Sequence, residues 1–124
     1  MKFITTILIT LFLNTFNVID INDDILNGFK QNKSAEVAKH FDEKISLKII
    51  TQEDVLSKAQ AEANLKFFFE KHPIKSYSKQ KTTSINSTSY YLNTNLEGEN
   101  EKFRLTLLVR RNLIAQMRIE QLNE

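Results

Sequence analysis

The sequence contains no cysteine, which removes several kinds of site at once. Without cysteine the chain can form no disulfide, no thiolate nucleophile, no cysteine-ligated zinc site and no iron–sulfur cluster. Histidine is also scarce, and neither His40 nor His72 stands at a ligand spacing from a carboxylate. We therefore expect no metal site and no bound cofactor, and we interpret both histidines as structural residues at helix ends.

Proline and glycine are nearly absent, with one and two copies among 124 residues, so the chain is neither fibrous nor a flexible linker. A hydrophobic fraction of 41% and a charged fraction of 26% are typical of one compact domain. The balance of 17 basic against 15 acidic residues gives a net charge of +2, which is too even to attract a polyanion by bulk charge. Nucleic acid is therefore not an expected partner.

The sequence has one long hydrophobic run, from Phe3 to Phe16, directly after Lys2. The run is too short to span a bilayer, which takes roughly 20 apolar residues. A charged start followed by a short apolar run is typical of a signal peptide. We therefore predict a signal peptide at residues 1–18, a single domain at residues 19–124, export to the periplasm or the extracellular space, and no membrane span after cleavage. An uncleaved anchor and a buried first helix are the alternatives.

Capping residues indicate three helices. Asn22 precedes two aspartates and Ser34 follows an Asn-Lys break, so each of them is expected to cap a helix. The third helix has the clearest start, because Ser57 and Gln60 are spaced as a capping box, and Pro73 ends it. The inward face of this helix is predicted to carry Ala61, Leu65, Phe68 and Phe69.

Alternating apolar residues predict five strands. Ile45, Leu47 and Ile49 alternate with polar residues and predict one strand before the third helix. Beyond it the period stays near two, which predicts a polar edge strand at residues 75–85 and three further strands in an antiparallel meander. The inward residues of those three strands are predicted to be Tyr90, Leu92, Thr94, Leu96, Phe103, Leu105, Leu107, Val109, Leu113, Ala115, Met117 and Ile119. In the last hairpin we expect Leu105 opposite Met117 and Arg104 opposite Arg118.

The predicted fold class is therefore α+β, with three N-terminal helices packed on one face of a curved, mainly antiparallel sheet. The order helix, helix, strand, helix and four strands resembles the nuclear transport factor 2-like, or cystatin-like, superfamily. Within it, the chain resembles a bacterial, exported family of domains of unknown function. The motifs that carry this resemblance are Lys39-His40-Phe41, Ser57-Lys58-Ala59-Gln60-Ala61-Glu62 with Phe67-Phe68, and Arg118-Ile119-Glu120. Because they are mostly packing and capping residues, the resemblance implies a fold and no particular chemistry.

The resemblance also directs attention to the cone between the third helix and the sheet. Phe67 points away from the buried stripe of its helix, so this helix is expected to be covered on two sides. We name Phe67, Tyr90 and Met117 as candidate ligand-binding residues of the cone. The predicted inward positions hold no aspartate or glutamate, so we assign no catalytic residue.

The outer face of the predicted sheet mixes charged and apolar side chains. Arg104, Leu108, Ile114, Arg118 and Glu120 are expected to share it, which makes them candidates for a homodimer interface. A solvated patch of ion pairs is the alternative interpretation.

Lysines dominate the predicted edge strand. Lys71, Lys75, Lys79 and Lys81 surround Tyr77, and no acidic residue occurs between Lys71 and Leu96. Lysines on an edge strand prevent edge-to-edge aggregation. Contact with an anionic polymer of the cell envelope is the alternative.

Taken together, these patterns favour an exported, noncatalytic domain that binds a small ligand or a protein partner in the bacterial cell envelope. The alternative is an isomerase or dehydratase-type enzyme with acid–base chemistry in the cone, carried by Tyr90 or a histidine. A histidine or Tyr90 that meets a carboxylate beside an open cavity would favour the enzyme. A cone filled by Phe67, Phe68 and Met117 would speak against it.

Overall fold

The computed structural model describes residues 20–123, and the predicted signal peptide lies outside this range. Three helices and seven strands form the described chain. The helices are α1 (Ile21–Lys30), α2 (Ser34–Ala38) and α3 (Lys58–Lys71). The strands are β1 (Phe41–Ile49), β2 (Gln52–Ser57), β3 (Ser76–Tyr77), β4 (Lys81–Ser84), β5 (Ser89–Glu97), β6 (Lys102–Arg110) and β7 (Leu113–Gln121). The predicted α+β class is confirmed.

All seven strands belong to one sheet, in the order β2-β1-β7-β6-β5-β3, and β4 also pairs with β5. Every pairing is antiparallel except that of β1 with β7, which is parallel. β1 therefore joins the last strand, β7, inside the sheet, and β2 forms the edge beside β1.

The helix starts follow the capping residues only in part. Asp20, and not Asn22, caps α1, because the Asp20 carboxylate accepts a hydrogen bond from the Asn22 backbone amide at 3.0 Å. Lys33 precedes α2 without a side-chain cap, so Ser34 is the first residue of that helix. The capping box of α3 is confirmed: the Ser57 hydroxyl accepts from the Gln60 amide, and the Gln60 side chain accepts from the Ser57 amide.

The core lies between the helices and one face of the sheet. Its helical side includes Phe29, Phe68 and Phe69, and Phe68 meets Phe103 of the sheet edge-on, with ring centroids 5.1 Å apart. The predicted inward residues of α3 are all buried. The buried residues of the sheet are Phe41, Ile45, Leu47, Ser89, Leu92, Thr94, Leu96, Phe103, Leu105, Leu107, Val109, Ile114, Met117 and Ile119.

Two parts of the sheet differ from the predicted strands. The single strand before α3 is a hairpin of β1 and β2, whose tight turn places Ile50 at a φ of 60°. The predicted edge strand at residues 75–85 is divided into β3 and β4, which both pair with β5. Nearly all of β2 and all of β4 are exposed, so neither strand has the apolar alternation that would reveal it.

The pairing of β6 with β7 corrects the predicted register. Leu105 lies opposite Ile119 and Arg104 lies opposite Glu120, so the strands are shifted by two residues, and Met117 and Ile119 keep their predicted inward face. A bulge beside Val109 then reverses the alternation near the turn, and Ile114 is buried opposite Val109. The prediction that Ile114 lies on the outer face is therefore wrong.

Candidate functional site

An open cleft lies between the C-terminal half of α3 and the β1–β2 hairpin. It has a volume of about 430 Å³. One part of its lining is apolar and the other part is polar. We call this feature the helix–hairpin cleft. Its lining residues are Leu47, Ile49, Ile50, Thr51, Gln52, Asp54, Leu56, Asn64, Phe67, Phe68, Lys71 and His72.

Phe67 contributes the largest exposed apolar surface of this cleft, since 60% of the residue is accessible to solvent. The opposite side of α3 packs on the core through Leu65, Phe68 and Phe69. The helix is therefore covered on one side, and the prediction that it is covered on two sides is wrong. The uncovered side presents an aromatic ring at the cleft.

His72 stands at the end of α3 and lines the same cleft. Its Nδ1 lies 2.7 Å from Oε2 of Glu101, in the turn between β5 and β6. The ring centroid is 5.3 Å from those of both Phe68 and Phe103, so aromatic neighbours fix the plane of the imidazole. Because an ionised carboxylate only accepts hydrogen bonds, Nδ1 is the ring nitrogen that donates to Glu101, and Nε2 is the ring nitrogen without this contact.

The three candidate ligand-binding residues do not share one site. Met117 is fully buried between its strand neighbours Leu47 and Leu107. Tyr90 lies in a second, polar cleft of about 580 Å³. Phe67 alone lines the helix–hairpin cleft.

Tyr90 forms a fixed polar contact rather than a free hydroxyl. Its phenol donates to Oδ1 of Asn22 at 2.6 Å and so connects β5 to α1. Burial raises the pKa of this phenol, and the negative charge of Asp20 raises it further. The proton therefore stays on the oxygen at neutral pH, which suits a structural hydrogen bond.

His40 also contacts a carboxylate, away from the helix–hairpin cleft. Its Nε2 lies 2.7 Å from Oδ2 of Asp24 in α1, and Lys39 approaches the same oxygen at 3.5 Å. The hydrogen bond with His40 lowers the pKa of Asp24, and the charge of Lys39 acts in the same direction. These contacts join α1 to the segment that leads into β1.

The outer face of the sheet carries a chain of ion pairs. Glu120 lies 3.3 Å from Lys48 and 3.8 Å from Arg118, and Arg118 lies 3.6 Å from Glu53. Arg104 and Leu108 are on the same face, as predicted. The homodimer through this face stays a prediction, now without Ile114.

Residues 20–123 lack two further features. No three of the histidine, aspartate and glutamate side chains in this range group closely enough to hold a metal ion. None of the helices there combines the length and hydrophobicity that a membrane crossing requires.

Known proteins resemble the chain in family and in fold. Residues 22–123 match the model of a family described as "Domain of unknown function (DUF4783)". A DUF4783 family protein from Bacteroides uniformis is 25% identical, with a TM-score of 0.77, over 85% of this chain and 100% of its own. One from Bacteroides ovatus is also 25% identical, with a TM-score of 0.73, over 82% of this chain and 94% of its own.

The fold extends to more distant structures. A domain of unknown function with a cystatin-like fold from Nostoc punctiforme is 9% identical, with a TM-score of 0.65, over 84% of this chain and 74% of its own. No curated protein matches the chain. The comparisons therefore show a family and a cystatin-like, nuclear transport factor 2-like fold.

Proposed function

Since the chain belongs to the DUF4783 family, whose function is unknown, we propose a function from its own geometry: it is a noncatalytic domain that binds a small amphipathic molecule in the helix–hairpin cleft. The observation that carries this proposal is the ring of Phe67, which is 60% exposed beside an open cleft. Covering apolar surface releases roughly 25 cal/mol per Å², so an exposed aromatic ring at a cavity favours an apolar ligand.

The polar residues of the cleft determine which polar groups the ligand must carry. His72 and Lys71 lie at the end of α3, and Asn64 lies about two turns before them on the same helix. The apolar residues Ile50 and Leu56 belong to the hairpin across the cleft. A molecule with an aromatic or aliphatic body and a hydrogen-bonding end matches both parts.

The probe for this site is 8-anilinonaphthalene-1-sulfonate, which has a flat apolar body and a polar end. We expect its fluorescence titration to show one site, and Phe67→Ser to weaken binding about fivefold or more, since the variant removes the exposed ring. Val55→Ser is the matched control. Val55 is 72% exposed and belongs to the β1–β2 hairpin, but its side chain does not line the cleft. Equal effects of the two variants, or none from Phe67→Ser, would contradict the proposal.

Export to the periplasm or beyond is part of the proposal. It is supported by the apolar run from Phe3 to Phe16 behind Lys2. Mass spectrometry of the protein from separated cell fractions tests it. We expect a chain that starts near residue 19 in the envelope or medium, and a chain with residues 1–18 intact in the cytoplasm would argue against export.

A proton-transfer enzyme is the second candidate function, and the His72–Glu101 hydrogen bond favours it. Glu101 fixes Nδ1 as the protonated nitrogen, so Nε2 of His72 can act as a general base beside the cleft. His40 has a contact of the same length with Asp24 but does not line the cleft, so the position of His72 beside the cleft is what favours this candidate.

The enzyme alternative is tested with 5-nitrobenzisoxazole, whose ring opens when a base removes its carbon-bound proton and the N–O bond breaks. Enzyme function predicts a rate that falls about tenfold or more in His72→Gln, while His40→Gln leaves it unchanged. Glu101→Gln would then shift the pH profile of the rate. A wild-type rate equal to that of buffer would reject this candidate and leave ligand binding unaffected.

A further inference from the structure

A third depression, distinct from the helix–hairpin cleft and from the cleft of Tyr90, lies at the β4 edge of the sheet, on the outer face. It is a groove of about 560 Å³. Three cations line it, Lys79, Lys81 and Arg104, and the rest of its lining is made of asparagine, threonine and serine. We call this feature the edge groove.

Among the described residues, the cations of the edge groove form no ion pair, and the carboxylate of Asp23 instead accepts from Gln80, which lies between the two lysines. Within residues 20–123, no carboxylate lies within ion-pair distance of Lys79, Lys81 or Arg104. Glu120 is the cross-strand neighbour of Arg104, but its carboxylate contacts Lys48 and Arg118 instead. Three like charges around one depression leave a positive potential that an anionic ligand would neutralise.

Protection of the sheet edge explains only part of this arrangement. Lysines at an exposed edge prevent strand addition, and Lys79 and Lys81 fit that role. Arg104 does not, because it lies on β6, which is enclosed by β5 and β7. An interior strand has no free edge, so protection of the sheet edge does not account for Arg104.

We propose that the edge groove binds an acidic oligosaccharide. Carboxylate or sulfate groups of the sugar pair with Lys79, Lys81 and Arg104, and side-chain amides of the groove meet its hydroxyls. Asn93 is suited to this role, because its Oδ1 accepts from the Thr106 hydroxyl and its amide nitrogen stays available as a donor. No aromatic residue of the described chain lines the groove, so it lacks the stacking platform that single-stranded nucleic acid uses.

The experiment is a calorimetric titration with a heparin-derived hexasaccharide at low and physiological salt. We expect binding that weakens with salt, and a loss of about fivefold or more for Arg104→Gln. Arg110→Gln is the matched control, since it removes the same charge from the exposed end of the same strand. We expect that control to stay within about twofold of wild type.

A double variant separates the groove from general surface charge. Lys79→Gln/Lys81→Gln should weaken binding, whereas Lys58→Gln/Lys66→Gln on the exposed side of α3 should not. Equal losses in the two double variants, or no loss in Arg104→Gln, would overturn the proposal. Tighter binding of an oligothymidylate of equal charge would also overturn it, because it would make nucleic acid the preferred ligand.

Discussion

At the scale of single residues, the side chain of Asn32 connects two segments that lie 42 residues apart in the sequence. Its Oδ1 accepts from the Ile74 amide at 2.7 Å, and its Nδ2 donates to the Ile74 carbonyl at 2.8 Å. Its own backbone has a φ of 58°, a left-handed conformation that asparagine tolerates better than most residues. One side chain thus both permits the turn after α1 and holds the segment that follows α3.

Two substitutions separate these roles of Asn32. Asn32→Gly keeps the left-handed turn but loses both hydrogen bonds, and we expect it to lower the free energy of unfolding by about 1–3 kcal/mol. Asn32→Ala loses the turn preference as well and should cost roughly 1 kcal/mol more. Urea unfolding measures both values. Equal stabilities of Asn32→Ala and wild type would contradict this account.

The lowered pKa of Asp24 leads to a second prediction at this scale, which concerns stability as a function of pH. Its hydrogen bond with His40 and the charge of Lys39 lower its pKa below the ordinary value of 3.8. A carboxyl group with a lowered folded-state pKa stabilises the fold above the unfolded-state pKa, and this stabilisation is lost as the pH falls through the folded-state value. Asp24→Asn should therefore lower the urea midpoint near neutral pH and converge on wild type in strong acid.

The control for Asp24 is Asp54→Asn, an exposed aspartate for which the structure gives no ion pair. We expect its urea midpoint to follow that of wild type at every pH. A constant difference between Asp24→Asn and wild type down to strong acid would show that the carboxylate charge is not the cause.

At the scale of elements, capping residues made the helices predictable, and apolar alternation made the long strands predictable. The stripe of α3, its capping box and the alternation of β5 and β6 all appear in the structure. The β1–β2 hairpin was missed because β2 is exposed and because Ile50, a β-branched residue, turns with a positive φ. The bulge beside Val109 was missed because bulges carry no signal in an alternating pattern.

The β6–β7 turn offers a stabilising substitution. Arg111 and Asn112 connect the strands with φ values of 52° and 64°, the left-handed pair of a tight hairpin. Arginine is poorly suited to this conformation, so Arg111→Asn should raise the free energy of unfolding by about 0.5–1 kcal/mol. Arg111→Ala removes the same charge, but alanine has no preference for the left-handed conformation. This variant should therefore not raise the free energy of unfolding. Thermal unfolding of both variants distinguishes the turn effect from the charge effect.

At the scale of the whole molecule, the candidate sites depended on contacts that the sequence does not display. The sequence predicts a cone between α3 and the sheet with Phe67, Tyr90 and Met117, and of these three only Phe67 lines the helix–hairpin cleft. Glu101, however, is 29 residues from His72, and only the tertiary fold brings the two together. The edge groove likewise joins Arg104 to lysines two strands away. Such clusters follow from topology, which local patterns do not encode.

The sheet order predicts how stability is distributed. β6 lies between β5 and β7, and its inward residues are fully buried, whereas β2 and β4 lie at exposed edges. We expect native-state hydrogen exchange to be slowest for amides of residues 103–109 and fastest in Gln52–Ser57 and Lys81–Ser84. Exchange is followed by NMR or mass spectrometry. Slower exchange in β4 than in β6 would contradict the described sheet.

The parallel pairing of β1 with β7 also has a consequence for biosynthesis. The ribosome makes β7 after every other strand, yet β7 is the strand that connects the β1–β2 hairpin to the meander. During translation, the two halves of the sheet are therefore separate and their facing edges unpaired. A nascent chain in that state has not closed its native sheet, so the final strand is the one that completes the fold.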